Sequence, residues 1–293
     1  MTMRSSMGMF SSRSARTLIA VLVIGGFLTL FFISSTIRYP LFQSDEALLA
    51  RFDDEKLTAD AALVEVLATG ETLFARNADS EYPIASITKL FTAYAVIHSP
   101  LIESETQIVW QDFSTEGTAG SLWLGETYTL RELLFPLLLS SSNDAGAAIL
   151  RMLGKRAFDV ELEKLYEDAG LSHTVIADTT GLTAKNHSTA RELAVFIAYL
   201  DTHDRYLLDI TELHSSVGPN GYGWINNNPG REYDTFKGGK HGYTPAAGRT
   251  FAGIFAGNDG EKYTVILLGS DNLSTDLAEI IKILPKNIVW STP

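Results

Sequence analysis

The sequence contains no cysteine among its 293 residues. This absence excludes a thiol nucleophile, a disulfide framework and a zinc site with thiolate ligands. The six histidines show no spacing typical of metal ligands, and no glycine-rich phosphate loop is present, so we expect neither a metal nor another cofactor. Hydroxyl and amine groups are therefore the first candidates for any catalytic chemistry.

Positive charge is scarce outside the N-terminus. The chain has 23 basic and 35 acidic residues, and four arginines (Arg4, Arg13, Arg16 and Arg38) lie within residues 1–38, where no acid occurs. The remainder has 19 basic residues against 35 acidic ones, a net charge of about −16. Such an acidic domain repels nucleic acid and anionic lipid, so we expect no nucleic-acid partner.

One apolar run, residues 17–35, is uncharged and long enough to span a bilayer. Three arginines precede it, so the positive-inside rule keeps residues 1–16 in the cytoplasm and exports the rest. A cleaved signal peptide is the alternative, although the run is long for one and no Ala-x-Ala site follows. We expect a transmembrane helix that anchors an extracytoplasmic domain in the cell envelope, with a spacer at 36–57, a catalytic domain at 58–285 and a tail at 286–293.

The hydrophobic pattern changes twice along the exported part. Alternating residues at 61–66 and 72–75 flank Gly70 and predict a hairpin. Capping boxes that begin at Thr129 and Thr189 predict helix starts in the middle of the chain. Strand patterns return at 250–255 and 263–268, before a last helix at 276–284. This order predicts an α/β chain of the α+β type, with an antiparallel sheet flanked by helices and an all-helical subdomain inserted between its parts.

Ser86 and Lys89 stand three residues apart in an apolar segment that Pro83 opens. Pro83 suits the first turn of a helix, where its missing N–H costs nothing. On such a helix, Ser86 and Lys89 would share one face, as a nucleophile and its base require. A serine at a helix start and a solvated lysine would give the same pattern.

Two further polar clusters interrupt apolar surroundings. The first, Ser141-Ser142-Asn143, lies between two apolar helices, where its side chains either face a cleft or cap a helix. The second, Lys240-His241-Gly242, lies on a predicted strand, where a lysine is unexpected unless it is an edge charge. Glycine at that point allows another backbone to approach closely.

Ser-x-x-Lys, Ser-x-Asn and Lys-x-Gly, in this order, resemble the motifs of penicillin-binding proteins and serine β-lactamases. The segments PIASITKLFTAY, LLLSSSNDAGAAI, TTGLTAKNHSTARELA and GGKHGYTPAAGRTF are similar to the low-molecular-mass D-alanyl-D-alanine carboxypeptidases, over residues 58–285. The resemblance implies a β-lactamase/transpeptidase-like fold and a serine DD-carboxypeptidase that acts on peptidoglycan stem peptides. It also implies β-lactams as covalent inhibitors and no metal or cofactor.

The resemblance implies a role for each motif residue. Ser86 would form the acyl-enzyme, and Lys89 would be the general base, neutral because burial and Lys240 lower its pKa. Ser141 would relay a proton to the leaving D-alanine, and Asn143 would hold the substrate amide and Lys89. The backbone N–H groups of Ser86 and Tyr243 would form the oxyanion hole, and His241, Gly242 and Thr244 would contact the substrate.

Two departures from the family pattern concern recognition of a free carboxylate. His241 stands where the family has a threonine or serine, and Asp276 or a neighbour stands where it has an arginine near the last helix. A charged imidazole at His241 would compensate only near or below its usual pKa of about 6.5, and a ring that points away from the cleft would not compensate at all.

These losses leave two alternatives, a DD-endopeptidase on peptidoglycan cross-links and a non-catalytic homologue. An esterase or amidase on other D-amino acid substrates also stays open. A β-lactamase is disfavoured, because no Glu-x-x-x-Asn segment precedes Gly181.

Overall fold

The structure, a computed structural model, describes residues 54–284 except 114–116, 118–119 and 259. The predicted transmembrane segment 17–35, residues 36–53 of the spacer and the tail at 286–293 lie outside the described residues. Within the described ranges, none of the helices is both long enough and apolar enough to cross a membrane.

Eleven strands occur in the described part of the chain. They are β1 (Ala61–Val66), β2 (Thr72–Arg76), β3 (Glu81–Pro83), β4 (Glu105–Gln107), β5 (Thr127–Thr129), β6 (His187–Thr189), β7 (Ser215–Val217), β8 (Gly223–Ile225), β9 (Phe236–Thr244), β10 (Gly248–Ala256) and β11 (Lys262–Ser270). Five form one antiparallel sheet in the order β2-β1-β11-β10-β9, and β3–β6, β4–β5 and β7–β8 pair separately.

Seven α-helices lie in the same ranges. They are α1 (Thr88–His98), α2 (Leu130–Leu138), α3 (Asn143–Leu153), α4 (Lys155–Ala169), α5 (Ala190–His203), α6 (Arg205–Glu212) and α7 (Leu273–Ile283). Short 3-10 turns occur at Ala85–Ile87, Trp110–Asp112 and Pro229–Glu232. The first six helices separate β1 and β2 from β9, β10 and β11 in the chain, so the predicted insertion of a helical group into an antiparallel sheet is confirmed.

Each face of the five-stranded sheet packs against helices. Successive strand residues point to opposite faces, so Leu63 and Ile266 join the large core with α1–α6, whereas Val64 and Val265 join a smaller core with α7. The predicted hairpin is β1–β2, and Gly70 in its turn has a φ of +69°. The helical core therefore forms on the face of the sheet where the polar motifs are brought together.

The two predicted capping boxes differ. Thr129 and Glu132 exchange both hydrogen bonds of the box at the start of α2. Thr189 accepts the N–H of Glu192, but the Glu192 carboxylate accepts the backbone N–H groups of Ser172 and His173 instead. The second box is thus only half formed, because a neighbouring loop offers two backbone N–H donors to the same carboxylate.

Two local predictions are wrong. Pro83 ends strand β3 instead of opening a helix, and β3 pairs only with β6, so the missing N–H is tolerated at an edge. Ser86 lies in the 3-10 turn before α1 because Ala85 adopts a φ of +46°, which an α-helix does not permit. The range 211–232, which is rich in glycine, asparagine and proline, contains the β7–β8 hairpin, whose three-residue strands are too short to show a period of two.

Candidate active site

Ser86 lies in a strained turn between β3 and α1. The preceding Ala85 has a left-handed φ of +46°, a conformation that surrounding structure must hold in place. Thr250 on β10 supports the turn, because its hydroxyl donates a 3.0 Å hydrogen bond to the carbonyl of Ile84. The half-buried Ser86 is therefore presented by a backbone that tertiary contacts fix.

Two glycines allow other segments to contact this turn. A Cβ at Gly242 on β9 would lie 2.4 Å from the Ser86 backbone nitrogen. A Cβ at Gly181, whose φ is +88°, would lie 1.9 Å from the Ala85 carbonyl oxygen. Only glycine fits at either position. The predicted close approach at Gly242 is confirmed, and it brings the strand that carries Tyr243 against the backbone of Ser86.

Lys89 is fully buried and contacts Ser86. Its Nζ lies 3.0 Å from Ser86 Oγ, 2.8 Å from Asn143 Oδ1 and 2.7 Å from the Thr180 carbonyl oxygen. Burial lowers the pKa of Lys89 well below its usual value, the charge of Lys240 lowers it further, and the charge of Asp178 opposes both effects. Burial therefore favours the neutral form of the amine, the form that the family resemblance implies for a general base.

The three partners of Lys89 fix where its lone pair points. A neutral amine has two hydrogens and one lone pair, and the oxygens of Asn143 and Thr180 act here as acceptors that take the two hydrogens. When the amine is neutral, the third contact, of 3.0 Å to Ser86 Oγ, is the one across which the serine hydroxyl can donate to the lone pair. This is the geometry that a general base needs.

Asp178 organises the loop that supplies the Thr180 carbonyl. Its Oδ1 accepts the backbone N–H groups of Thr180 and Gly181, both at 2.7 Å, and its Oδ2 accepts the N–H of Thr183 at 3.1 Å. Burial raises the pKa of Asp178, but these hydrogen bonds outweigh it and lower the pKa below the usual value. The catalytic motifs alone do not identify this role, although Asp-x-x-Gly is a turn signal that indicates such a loop.

The polar cluster Ser141-Ser142-Asn143 was predicted either to cap a helix or to face a cleft, and different members of it do each. Ser142 caps α3, because its hydroxyl accepts the N–H of Ala145 at 3.0 Å. Asn143 therefore holds Lys89 instead of capping the helix. Ser141 is buried and has a φ of +61°. Since it is two residues from Asn143, the Cα atoms of these two residues are at most about 7 Å apart. The structure therefore brings Asn143 into the site and Ser141 next to it.

Lys240 is buried on β9, where its Nζ donates to the His241 carbonyl at 2.9 Å. Burial lowers the pKa of Lys240 to about 7, so part of its charge is present at neutral pH. Lys240 and Gly242 are two residues apart and project from the same face of β9. Because Gly242 contacts the Ser86 turn, the Lys240 side chain projects to the side of the sheet where Ser86 lies.

His241 projects from the opposite face of β9. It pairs across the sheet with Phe251, which belongs to the core on the α7 side, and paired residues share a face. Its Nδ1 is buried and has no hydrogen-bond partner among the described residues. Burial, then the charges of Lys240, Lys89 and Arg249, lower the pKa of His241 to about 3. The ring is neutral, so the alternative of a compensating imidazolium is wrong.

The remaining residues singled out in the sequence have other partners. The exposed Tyr243 ring packs against the Arg249 guanidinium, 5.2 Å from the ring centroid. The Thr244 hydroxyl accepts the N–H of Ala247 and so stabilises the β9–β10 turn. Asp276 is buried in α7 and accepts the N–H and the hydroxyl of Thr58, both at 2.8 Å. Asp276 therefore joins two segments of the domain and supplies no positive charge to the site.

The described part of the chain contains no group of three or more His, Asp or Glu side chains placed to hold a metal ion. The chemistry that the site offers comes from the hydroxyl of Ser86 and the amines of Lys89 and Lys240. A hydroxyl beside a lysine base can act as a nucleophile on an acyl carbon.

A profile of D-alanyl-D-alanine carboxypeptidases matches residues 49–271. The chain is 31% identical to the D-alanyl-D-alanine carboxypeptidase DacB2 of Mycobacterium tuberculosis over 208 residues, which are 68% of this chain and 70% of that protein. It is 35% identical to a D-alanyl-D-alanine endopeptidase of Pseudomonas aeruginosa over 143 residues, 47% of this chain and 46% of that protein. The match thus spans about half the length of this second relative.

Solved structures share the fold. The crystal structure of a D-alanyl-D-alanine carboxypeptidase from M. tuberculosis gives a TM-score of 0.71 at 26% identity, over 79% of this chain and 92% of that one. Penicillin-binding protein D2 from Listeria monocytogenes, in its cefotaxime-bound form, gives 0.68 at 25% identity, over 78% and 96%. The α+β fold that the motif order implied is therefore confirmed.

Proposed function

Because the chain belongs to the D-alanyl-D-alanine carboxypeptidase family, we propose that it is a serine DD-carboxypeptidase that releases the terminal D-alanine of peptidoglycan stem peptides. The observation that carries the proposal is the contact of 3.0 Å between Lys89 Nζ and Ser86 Oγ. Burial favours the neutral form of the amine, and two further acceptors hold it, so it is placed to take the proton of the serine.

The reaction begins when Ser86 Oγ attacks the carbonyl carbon of the D-Ala-D-Ala bond and its proton passes to Lys89. The backbone N–H groups of Ser86 and Tyr243 stabilise the oxyanion, each contributing about 3–4 kcal/mol. The C–N bond then breaks, and D-alanine leaves with a proton that Ser141 relays from Lys89. A water molecule hydrolyses the acyl-enzyme and restores the Ser86 hydroxyl.

Lys240 has two roles in this scheme. Its positive charge lowers the pKa of Lys89 and so favours the base form. The same charge attracts the carboxylate of the substrate. Since burial brings the pKa of Lys240 to about 7, both roles weaken as the pH rises above neutrality.

β-Lactams are proposed to acylate Ser86 in the same way as the peptide. The L. monocytogenes protein whose fold this chain shares is described in cefotaxime-bound and ampicillin-bound forms. Attack of Ser86 Oγ on the lactam carbonyl would open the ring and leave the drug attached to the enzyme.

A DD-endopeptidase on peptidoglycan cross-links is the second candidate. His241 favours it, since a neutral ring on the far face of β9 provides no charge for a free C-terminal carboxylate. The similar P. aeruginosa protein is named an endopeptidase. A cross-link lacks the free carboxylate of a terminal D-alanine, so the loss would matter less for that substrate.

We also propose that residues 17–35 anchor the enzyme in a membrane with its catalytic domain outside the cytoplasm. The uncharged run and the arginines before it support this. Retention of the full chain in the membrane fraction after alkaline carbonate extraction is the expected result, and release into the supernatant would contradict it.

Labelling with penicillin tests the nucleophile. The full chain is incubated with a labelled penicillin, and peptide mass spectrometry is expected to find the adduct on Ser86. Ser86→Ala should remove the label, whereas Ser80→Ala, in an exposed loop, should keep it. An unlabelled wild-type protein would favour the non-catalytic homologue. D-alanine release from a pentapeptide, compared with cleavage of a cross-linked dimer, then distinguishes the two activities.

A further inference from the structure

Two exposed aromatic side chains, Trp123 and Tyr222, stack on each other. Their ring centroids are 5.2 Å apart at an interplanar angle of 29°, and each residue is 51% exposed. Leu124 next to Trp123 is also exposed. Large exposed apolar groups that form one patch mark interaction sites more often than isolated ones do. We refer to Trp123 and Tyr222 as the aromatic platform.

The aromatic platform lies beside the Ser141–Asn143 side of the site. Trp123 follows Gly120 by three residues, so their Cα atoms are at most about 10 Å apart. Gly120 itself packs on Ser142, because a Cβ at position 120 would lie 2.1 Å from the Ser142 Cβ. Trp224, two residues after Tyr222, is buried, and its Nε1 donates to the Gly120 carbonyl at 2.9 Å. Both halves of the platform are therefore attached to the segment that packs on the start of α3.

Polar contacts fix the two halves relative to each other. Asn220 precedes Tyr222 in the hairpin loop, and its Nδ2 donates to the Glu126 carboxylate at 2.5 Å and to the Tyr128 hydroxyl at 2.9 Å. These contacts join the β7–β8 hairpin to the loop that carries Trp123. A platform that is already in place loses little freedom when it binds a ligand.

The charges around the platform indicate the class of ligand. Residues 117–130 and 214–228 contain no lysine or arginine, and Glu126 is their single acidic residue. An anionic membrane surface is recognised mainly by basic residues, which these segments lack. An uncharged ligand with an apolar ring face and polar groups at its edge fits aromatic rings bordered by the Asn220 amide.

We propose that Trp123 and Tyr222 bind an N-acetylated sugar of the glycan strand to which the substrate peptide is attached. The proposal rests on the proposed function, since that substrate joins a peptide to an acetylated amino sugar. The C–H face of the sugar ring would lie on the exposed aromatic surface while the peptide enters the cleft beside Asn143. The platform would thus add affinity for intact peptidoglycan over free peptide.

Two substrates test the proposal, a pentapeptide alone and the same pentapeptide attached to its disaccharide. For the full chain in detergent, we expect a lower KM with the disaccharide. Trp123→Ala and Tyr222→Ala should reduce this advantage about three- to tenfold. Trp110→Ala is the matched control, because Trp110 is 74% exposed in the turn whose Asp112 pairs with Arg151 at the far end of α3. Trp123→Phe should keep most of the advantage.

Binding without turnover separates this proposal from the proposed function. In a Ser86→Ala background, we expect tetra-N-acetylchitotetraose to bind and Trp123→Ala to weaken its binding by a similar factor. Such binding supports the subsite even if neither substrate yields D-alanine. Labelling of Trp123→Ala itself by penicillin reports whether that variant is folded.

Two results would overturn the assignment. One is a disaccharide advantage that folded Trp123→Ala and Tyr222→Ala keep unchanged, together with tetrasaccharide binding that is absent in Ser86→Ala or that Trp123→Ala does not weaken. The other is Trp123-dependent binding to phosphatidylglycerol vesicles with no sugar effect, which would assign the platform to a membrane surface.

Discussion

Gly242 lies against the backbone nitrogen of Ser86, so closely that a Cβ at position 242 would be 2.4 Å from it. That nitrogen carries one of the two N–H groups proposed for the oxyanion hole. Gly242→Ala should displace it and slow acylation by penicillin at least about 100-fold, the usual effect of losing one such donor. Stopped-flow measurement of the acylation rate checks this.

Gly223→Ala is the control for this substitution. Gly223 also lies in a strand, but its Cβ would meet the Ser216 carbonyl oxygen at an ordinary 3.5 Å. The control should acylate at the wild-type rate. Normal acylation by folded Gly242→Ala would show that the Ser86 N–H does not take part.

The pH dependence of acylation should show a falling limb near pH 7. Lys240 has a pKa of about 7 and loses its charge through this range, whereas an arginine stays charged. Lys240→Arg should therefore move the falling limb to higher pH. His241→Gln should leave it in place, because the pKa of His241 is about 3. The acylation rates of the wild type and both variants are measured from pH 5 to 10. A falling limb that shifts in His241→Gln would contradict its assignment to Lys240.

The buried charge of Lys240 should also reduce stability. Its pKa is about 7 in the folded protein and about 10.4 in the unfolded chain, so the unfolded chain binds more protons between these values. Stability from this group therefore rises with pH from about 7 to 10. At pH 7, the free energy of unfolding of Lys240→Met should exceed that of the wild type by on the order of a few kcal/mol. The variant should also lack the increase in stability between pH 7 and 10 that Lys240 causes.

Denaturant unfolding at pH 7 and pH 10 measures this effect. Lys237→Met is the control, since Lys237 lies on the same strand but is only half-buried. Equal stability of wild type and Lys240→Met at pH 7 would indicate that burial of the charge costs nothing there.

His241→Thr should leave the ratio of carboxypeptidase to endopeptidase activity unchanged. The side chain at position 241 projects from the face of β9 opposite Ser86, so a threonine hydroxyl there would not reach a carboxylate in the cleft. The ratio of D-alanine release to cross-link cleavage is measured at pH 7, and His203→Thr, on the exposed end of α5, is the control. A ratio in His241→Thr that differs from the wild-type ratio would show that the side chain at position 241 contacts the substrate.

The motif order in the sequence was enough to predict the family, the sheet with its inserted helices and the contact between Ser86 and Lys89. It could not predict the partners that tertiary structure supplies, such as Thr180, which is 91 residues from Lys89. The face of β9 from which the His241 side chain projects depends on its pairing with Phe251. The alternation of residues along a strand does not by itself show which face points to the active site. The sequence also could not predict the aromatic platform, because Trp123 and Tyr222 are far apart in the chain. The short β7–β8 hairpin that carries Tyr222 gives no periodic signal.

The order of the strands has a consequence for the time at which the enzyme becomes active. β1 and β2 come from the start of the domain, whereas β9, β10 and β11 come from its end, and β1 pairs with β11 about 200 residues later. Contacts of this kind form late, because a long loop must close first. A growing chain that has reached α5 already contains Ser86 and Lys89 but still lacks the strand with Lys240 and Gly242. We therefore expect acylation by penicillin only after β9 has joined the sheet, so that labelling would report this late step of folding.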